Sequence, residues 1–196
     1  MLELWASERA QKAEPWLAEA PVKPQVKLER VLSEAAGTRD HQGVVAWTEP
    51  YKYADAWELA AQETPLLVCL DRVTDPRNLG AVCRSADGVG ATGVVVPAHG
   101  SAPVTAVVAK ASAGAVEHLP VAVVTNLARY LTEIKRDDLW IYAASGEADR
   151  NLWETDFTGG SVLVLGAEGK GLRPLVRRSC DAAVSIPLLG RVESLN

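Results

Sequence analysis

Three glycine- or proline-containing segments concentrate the side chains that are able to bind an anion or a polar substrate. The first, "DPRNLGAVCR" at 75–84, contains Asn78 and, nearly two helical turns later, Arg84. Asparagine is able to cap the first turn of a helix, and taken alone this segment favours a capped helix with a surface arginine. The others, "GAEGKGL" at 166–172 and "IPLLGRVESLN" at 186–196, combine glycine with charged and amide groups. Glycine allows backbone amides to approach a ligand closely, so these segments are candidate binding loops.

A fourth glycine segment, "GVGATG" at 88–93, matches the Gly-x-Gly-x-x-Gly pattern of dinucleotide-binding loops. That pattern binds a pyrophosphate only where a strand precedes the glycines and a helix follows them. Here an apolar helical face comes first and the short apolar run "VVVP" comes second. The face consists of Leu79, Val82, Cys83 and Ala86. We therefore expect the glycines to end a helix and lead into a strand, which disfavours a nicotinamide or flavin oxidoreductase.

The elements that must position these segments alternate from Leu66 onward. Nearly continuous apolar runs separate helical stretches, as expected of parallel strands covered on both faces. The runs are "LLVCL", "GVVVP", "VAVV", "LWIYAAS", "SVLVLG" and "AAVSIP". The sequence predicts an α/β domain whose ligand site lies beyond the carboxyl ends of the parallel strands. The three candidate segments follow "LLVCL", "SVLVLG" and "AAVSIP", which places them at that edge of the sheet.

Composition indicates a globular protein of 196 residues, with 48% hydrophobic and 23% charged side chains. No apolar run approaches the length of a bilayer span, and the first residues do not resemble a signal peptide, so we expect a cytoplasmic protein. Cys69, Cys83 and Cys180 form no CxxC pair. We interpret them as buried thiols in a reducing compartment and expect no metal site.

The net charge of −5 is unevenly distributed along the chain. Residues 71–84 and 166–191 together contain eight Lys or Arg against four acidic residues, so these 40 residues carry +4 and the rest of the chain carries −9. An anion site is therefore compatible with an acidic protein, although charged surface loops also produce such counts. If the partner is a nucleic acid, we expect few phosphate contacts and a modest salt dependence.

The ordered motifs "DPRNLGAVCRSAD", "VLGAEGKGL" and "IPLLGRVESLN" resemble those of the SpoU/TrmH family of RNA ribose 2'-O-methyltransferases, part of the SPOUT superfamily. They extend over roughly 125 residues of the chain, and "KASAGAVEHLP" at 110–120 matches a further family stretch. "HQGVVA" at 41–46 resembles a segment of members that methylate a guanosine of large-subunit ribosomal RNA. The resemblance implies an S-adenosylmethionine-dependent enzyme acting on ribosomal RNA, with a transfer-RNA ribose methyltransferase as the related alternative.

The resemblance also implies a fold and a set of site residues. The fold is a SPOUT-type parallel sheet with a C-terminal trefoil knot, preceded by a small N-terminal α/β substrate-binding domain, and the enzyme works as a homodimer. The matched cofactor-binding positions, with their apolar neighbours, are Leu165, Gly166, Ile186, Leu188, Leu189 and Leu195. The matched catalytic positions are Asn78, Arg84, Glu168, Ser194 and Asn196. A mostly neutral pocket suits this donor, because its sulfonium charge disappears in the transition state.

The expected reaction is an in-line attack of a ribose 2'-hydroxyl on the methyl carbon, which needs alignment and removal of a weakly acidic proton. Arg84 is the family's key residue, but a guanidinium holds its proton so firmly that it is poorly suited to act as the base. Our hypothesis is that Arg84 clamps the adjacent phosphate and stabilises the developing alkoxide. Asn78, Ser194 and Asn196 then orient Arg84 or the ribose, and Glu168 anchors the glycine loop or Arg84.

The resemblance divides the chain at residues 1–47, 48–64 and 65–196. We expect the first part to be the later portion of the family's RNA-binding domain, the second to be a linker and the third to be the methyltransferase domain. Family members continue past the Ser-Leu-Asn motif into a helix that completes the knot, so we expect that helix to be missing here. A catalytically silent RNA-binding or assembly factor is therefore the alternative from another functional class.

Overall fold

The computed structural model describes residues 1–191, which divide into two compact units at Tyr51 and Lys52. The first unit contains the strands β1 (Glu3–Ala6), β2 (Gln25–Val26) and β3 (Val44–Trp47), together with the helices α1 (Glu8–Ala13), α2 (Trp16–Glu19) and α3 (Glu29–Ala36). Its strands form a sheet in the order β2-β1-β3, in which β1 runs parallel to β2 and antiparallel to β3. The predicted strand at "HQGVVAW" is thus confirmed in β3.

The core of the first unit lies on one face of this sheet. It contains Leu4, Ala6, Ala10 and Leu17. Leu4 and Ala6 alternate with Glu3 and Trp5 along β1, as expected of a strand with one covered face. Helix α1 begins after Ser7, whose hydroxyl accepts a hydrogen bond from the Ala10 amide at 3.2 Å.

The second unit contains a sheet of six parallel strands. The strands are β4 (Leu66–Asp71), β5 (Gly93–Pro97), β6 (Val121–Val124), β7 (Leu139–Ala144), β8 (Gly160–Gly166) and β9 (Ala182–Val184). The helices are α4 (Ala56–Ala60), α5 (Pro76–Gly88), α6 (Ala106–Ala111), α7 (Leu127–Glu133) and α8 (Pro174–Ser179), with short 3-10 turns at Ala115–Glu117 and Leu152–Glu154. The predicted α/β domain with a parallel sheet is confirmed.

The strand order β6-β5-β4-β8-β7-β9 reverses direction at β4. From β4 the chain moves outward through β5 and β6, and it then crosses to the other side, where β8 inserts between β4 and β7. In open parallel sheets, the crevice at such a reversal is where ligands bind. The strand order therefore predicts a ligand site at the carboxyl ends of β4 and β8.

A large apolar core lies against the sheet of the second unit and includes residues of α4, α7 and α8. Ala56, Leu59 and Ala60 of α4 are buried there, and the Tyr130 hydroxyl of α7 donates to the Ala56 carbonyl at 2.8 Å. Helix α4 lies within residues 48–64, so part of the segment expected to act as a linker packs into this core.

The glycines of "GVGATG" connect a helix to a strand, as predicted. Helix α5 ends at Gly88 and β5 begins at Gly93, while Gly90 between them has a φ of +72°. On the buried face of α5, Leu79, Cys83 and Ala86 are covered, whereas Val82 is only half-buried. The order of elements is thus the reverse of a dinucleotide-binding loop.

Candidate active site

The carboxyl ends of β4 and β8 are neighbours in the sheet. Leu70 pairs with Leu165, and Asp71 pairs with Gly166. Helix α5 follows β4, and the loop 166–172 begins at the end of β8. The structure therefore brings the first and second candidate segments to adjoining positions at the edge where a ligand is expected.

Helix α5 starts two residues earlier than Asn78. Asp75 is the N-cap, its carboxylate accepts from the Arg77 amide at 2.8 Å, and Pro76 is the first helical residue. The prediction that Asn78 caps this helix is therefore wrong. Proline suits the first helical position because its φ is already helical and it has no N–H to satisfy, so the cap precedes it. Asn78 is half-buried, and its side chain makes no hydrogen bond to residues 1–191.

Arg84 lies on the exposed side of α5. Within the described part of the chain, its guanidinium forms neither a hydrogen bond nor an ion pair. Its neighbour Cys83 faces the core, and burial raises the pKa of the Cys83 thiol to about 11. The same turn of helix thus carries a protonated, inaccessible thiol and a guanidinium that is accessible to a ligand.

The loop 166–172 folds tightly on itself. The Gly171 amide donates to the Ala167 carbonyl at 2.8 Å, and Gly169 and Gly171 have φ values of +71° and +62°. A Cβ atom on Gly166 would lie 2.3 Å from the carbonyl carbon of Gly171, so only glycine allows this approach. The Glu168 side chain is exposed and bonds to no described residue, so its anchoring role stays a prediction.

A buried ion pair joins β4 to the far end of this loop. Asp71 is 1% exposed, and its carboxylate accepts from the Arg173 backbone amide and from Nε, each at 2.8 Å. Arg173 Nη2 lies 2.7 Å from Asp71 Oδ1. In the sequence, both residues are recognisable only as loop charges. An acidic residue that directly ends a buried apolar run was the available signal, because a buried carboxylate requires a partner.

The third candidate segment follows β9, which is separated from β8 by β7. Its described apolar side chains are accessible: Ile186 is 48%, Leu188 37% and Leu189 100% exposed. Ser194, Leu195 and Asn196 lie outside the described residues. The described part of the chain therefore unites two of the three candidate segments at the β4/β8 edge, and the third starts after β9.

Two cavities in the second unit lie away from these residues. One of about 460 Å³ is lined at the amino end of β7 by Lys135, Arg136 and Trp140 with their neighbours. Another of about 190 Å³ lies beyond β6 and includes Trp57 and Asn126. Neither contains a candidate site residue. Residues 1–191 contain no cluster of three or more potential metal ligands, and no helix among them has the length and apolar content needed to cross a bilayer.

The fold and this edge define an α/β protein whose ligand site is built from loops at the carboxyl ends of parallel strands. Residues 65–196 match the model of the SpoU rRNA Methylase family. The chain belongs to this family.

Two bacterial relatives are similar over most of the chain, and each is named 23S rRNA (guanosine-2'-O-)-methyltransferase RlmB. The protein of Shewanella oneidensis is 46% identical over 88% of this chain and 72% of its own length. The protein of Pseudomonas putida is 42% identical over 92% of this chain and 81% of its own length.

Solved structures resemble the fold at lower identity. The SpoU methyltransferase AviRb from Streptomyces viridochromogenes, in complex with the cofactor AdoMet, has a TM-score of 0.79 at 26% identity. It matches 99% of this chain and 76% of its own. The AdoMet-bound rRNA methyltransferase from Sinorhizobium meliloti has a TM-score of 0.78 at 26% identity, over 99% of this chain and 74% of its own.

Proposed function

We propose that this protein transfers a methyl group from S-adenosylmethionine to the ribose 2'-hydroxyl of a guanosine in 23S ribosomal RNA. The observation that carries the proposal is the convergence of helix α5 and loop 166–172 at adjoining strand ends, where Asp71 pairs with Gly166. The relatives' names supply the substrate, and the AdoMet-bound structural neighbours support the methyl donor.

The residues at this edge fit a sulfonium donor. Gly166 and Gly171 approach each other so closely that the loop presents backbone atoms. Asp71, the one buried carboxylate among residues 1–191, is neutralised by Arg173. We propose that Leu165, Gly166, Ile186, Leu188 and Leu195 hold the donor through backbone groups and apolar contacts. When bound, S-adenosylmethionine supplies an electrophilic methyl carbon, and a neutral surround favours a transition state in which the positive charge is being lost.

Arg84 remains protonated in the proposed mechanism, because a guanidinium does not release its proton in proteins. It is exposed and has no partner among residues 1–191, so it is able to bind the phosphate next to the target ribose. There its charge also stabilises the alkoxide that develops as the 2'-hydroxyl loses its proton. Asn78, Ser194 and Asn196 orient Arg84 or the ribose, Glu168 anchors the loop or Arg84, and no residue is assigned as the base.

Further parts of the proposal concern the assembly. We propose a C-terminal trefoil knot, an RNA-binding role for residues 1–47, a linker at 48–64, a methyltransferase domain at 65–196, a homodimer and a cytoplasmic location. The resemblance of the "HQGVVA" segment to guanosine-methylating members supports the role of the N-terminal part.

The test is a transfer assay with methyl-labelled S-adenosylmethionine and separate 23S rRNA and transfer-RNA transcripts, followed by mass-spectrometric mapping of the product. We expect one 2'-O-methylguanosine in the 23S transcript. Methylation of the transfer-RNA transcript alone would instead support the related alternative, a transfer-RNA ribose methyltransferase. Binding of the donor and of RNA without transfer would instead indicate a silent RNA-binding factor.

A further inference from the structure

The buried carboxylate of Asp71 uses both of its oxygens on one distant residue. Oδ2 accepts the Arg173 backbone amide, while Oδ1 accepts Nε and lies 2.7 Å from Nη2. The two residues are 102 positions apart in the chain. Two guanidinium nitrogens thus converge on Oδ1 while the backbone amide occupies Oδ2, so donors from both the main chain and the side chain fix the position and orientation of Arg173 relative to β4.

This contact closes the base of loop 166–172 from both ends. The loop begins at Gly166, which pairs with Asp71 in the sheet, and it ends immediately before Arg173, which Asp71 binds. Between these points the Ala167 carbonyl accepts the backbone amides of Gly171 at 2.8 Å and Lys170 at 3.3 Å. One residue of β4 therefore fixes where the loop leaves β8 and where helix α8 begins.

We propose that Asp71 is a positioning residue that holds loop 166–172 in the conformation that binds S-adenosylmethionine, an inference that rests on the proposed function. A glycine-rich loop samples many conformations when free, and ordering it before the ligand arrives removes that cost from binding. Stability alone does not explain the arrangement, because a buried ion pair is often no more stabilising than an apolar pair of similar volume. In addition, the pair fixes the orientation of Arg173 relative to β4, and it adds no net negative charge beside the sulfonium.

A matched control lies at the opposite edge of the same sheet. Arg136 donates from Nε to Asp138 at 2.7 Å, and its terminal nitrogens donate to the carbonyls of Ala60 and Gln62, the latter at 2.8 Å. The side chains of Arg136 and Arg173 are 31% and 38% exposed, so the two arginines are similar in burial, and each bonds to a carboxylate and fixes distant backbone. Only Arg173 adjoins the loop.

The experiment compares the complete 196-residue chain with Asp71→Asn, Arg173→Lys and Arg136→Lys. S-adenosylmethionine affinity is measured by calorimetry, amide exchange of the 166–173 segment by mass spectrometry, and unfolding by a thermal melt. We expect Asp71→Asn to weaken binding by roughly tenfold and to speed exchange in this segment, because a charge-assisted anchor is lost. Arg173→Lys keeps the charge without the fork and is expected to show a smaller loss. Arg136→Lys is expected to lower the melting temperature only.

Two affinity results would overturn the inference while leaving the proposed function intact. One is wild-type affinity in Asp71→Asn, and the other is an equal loss of affinity in Asp71→Asn and Arg136→Lys at equal loss of melting temperature. Absence of binding in the wild-type chain would instead reject the proposed function and the cofactor role of Asp71 together. Unchanged exchange in Asp71→Asn would show that the carboxylate does not order the loop, whatever the ligand.

Discussion

The two edges of the parallel sheet use their cations differently. At the amino edge, Lys135 Nζ lies 2.5 Å from Asp181 and Arg136 lies 2.7 Å from Asp138, so both cations are paired. At the carboxyl edge, Arg173 is paired with Asp71, but Lys170 in the adjoining loop has no ionic partner in residues 1–191, and neither has Arg84 on the helix that starts at this edge. Paired charges hold backbone segments in place, whereas unpaired charges are available to a ligand. The difference separates the edge of the sheet that stabilises the fold from the edge proposed to bind the donor and the RNA.

Replacing Arg84, on the helix that starts at the carboxyl edge, and Arg136, at the amino edge, gives the largest expected contrast. Arg84→Ala should reduce methyl transfer by roughly a hundredfold to a thousandfold, because charge stabilisation in the transition state is lost. Its unfolding free energy should change by less than about 0.5 kcal/mol, since Arg84 is exposed and unpaired within the described residues. Arg136→Ala should cost about 1–2 kcal/mol of stability and leave transfer unchanged. Single-turnover transfer and denaturant titration measure the two effects.

The Arg84 result is sharpened by Arg84→Lys. Lysine retains the charge but lacks the planar fork that binds phosphate in two places. We therefore expect its transfer rate to be close to that of Arg84→Ala. Near-normal turnover in Arg84→Lys would rule out the clamp hypothesis and leave only a simple charge requirement.

Gly160 and Gly166, the first and last residues of β8, provide the next comparison. A Cβ on Gly166 would meet backbone atoms of Gly171 at 2.3 and 2.6 Å, whereas a Cβ on Gly160 would meet Asp138 O and Pro65 Cδ at 3.0 Å. Gly166→Ala should therefore displace the loop, cost about 2–3 kcal/mol and weaken S-adenosylmethionine binding. Gly160→Ala should cost about 1 kcal/mol or less without affecting the ligand. Equal affinities in the two variants would contradict the assignment of the carboxyl edge as the site.

Much of the fold was predictable because buried parallel strands have a strong local signal. The runs "LLVCL", "VAVV" and "SVLVLG" all correspond to strands, with bounds that differ by at most a residue. The strand order was not predictable in this way, since β4 pairs with β8 across more than 90 residues of chain. Nothing in the apolar pattern of either strand specifies its neighbour.

Residues of the candidate site could be predicted from the sequence only where they belong to a family motif. The resemblance to a family indicated Gly166, which ends β8 at the predicted edge, and Arg84, which lies on the helix that follows β4. Local reasoning misplaced the helix cap, because it favoured Asn78 over the Asp75–Pro76 pair that starts α5. The Asp71–Arg173 contact was missed because a charge count does not show which loop charges are buried together.

A strained backbone at the carboxyl edge offers a smaller test. Arg72, directly after β4, has a φ of +65°, and Ala113, after α6, has a φ of +52°. Glycine adopts such angles without steric cost, so Arg72→Gly and Ala113→Gly should each stabilise the protein by about 0.5–1 kcal/mol. Arg72→Gly should also weaken RNA binding, because it removes an exposed cation at the proposed site. Unchanged RNA affinity in filter binding would show that Arg72 does not contact the RNA.

The smallest effect concerns the two faces of α5, where Cys83 is buried and Arg84 is exposed. Burial raises the folded-state pKa of the Cys83 thiol from 9.0 to about 11. Above pH 9 the unfolded chain releases this proton while the folded chain keeps it, so stability should be complete below that pH and fall as the pH rises to about 11. Thermal melts across this range should show a shallower decline in Cys83→Ala than in the wild type. Arg84→Ala should leave the slope unchanged, since Arg84 lies on the exposed face of α5 and leaves the burial of the Cys83 thiol intact. Equal slopes in the wild type and Cys83→Ala would mean that the thiol is not protected by the core, and the separation of α5 into a structural face and a ligand-facing one would fail.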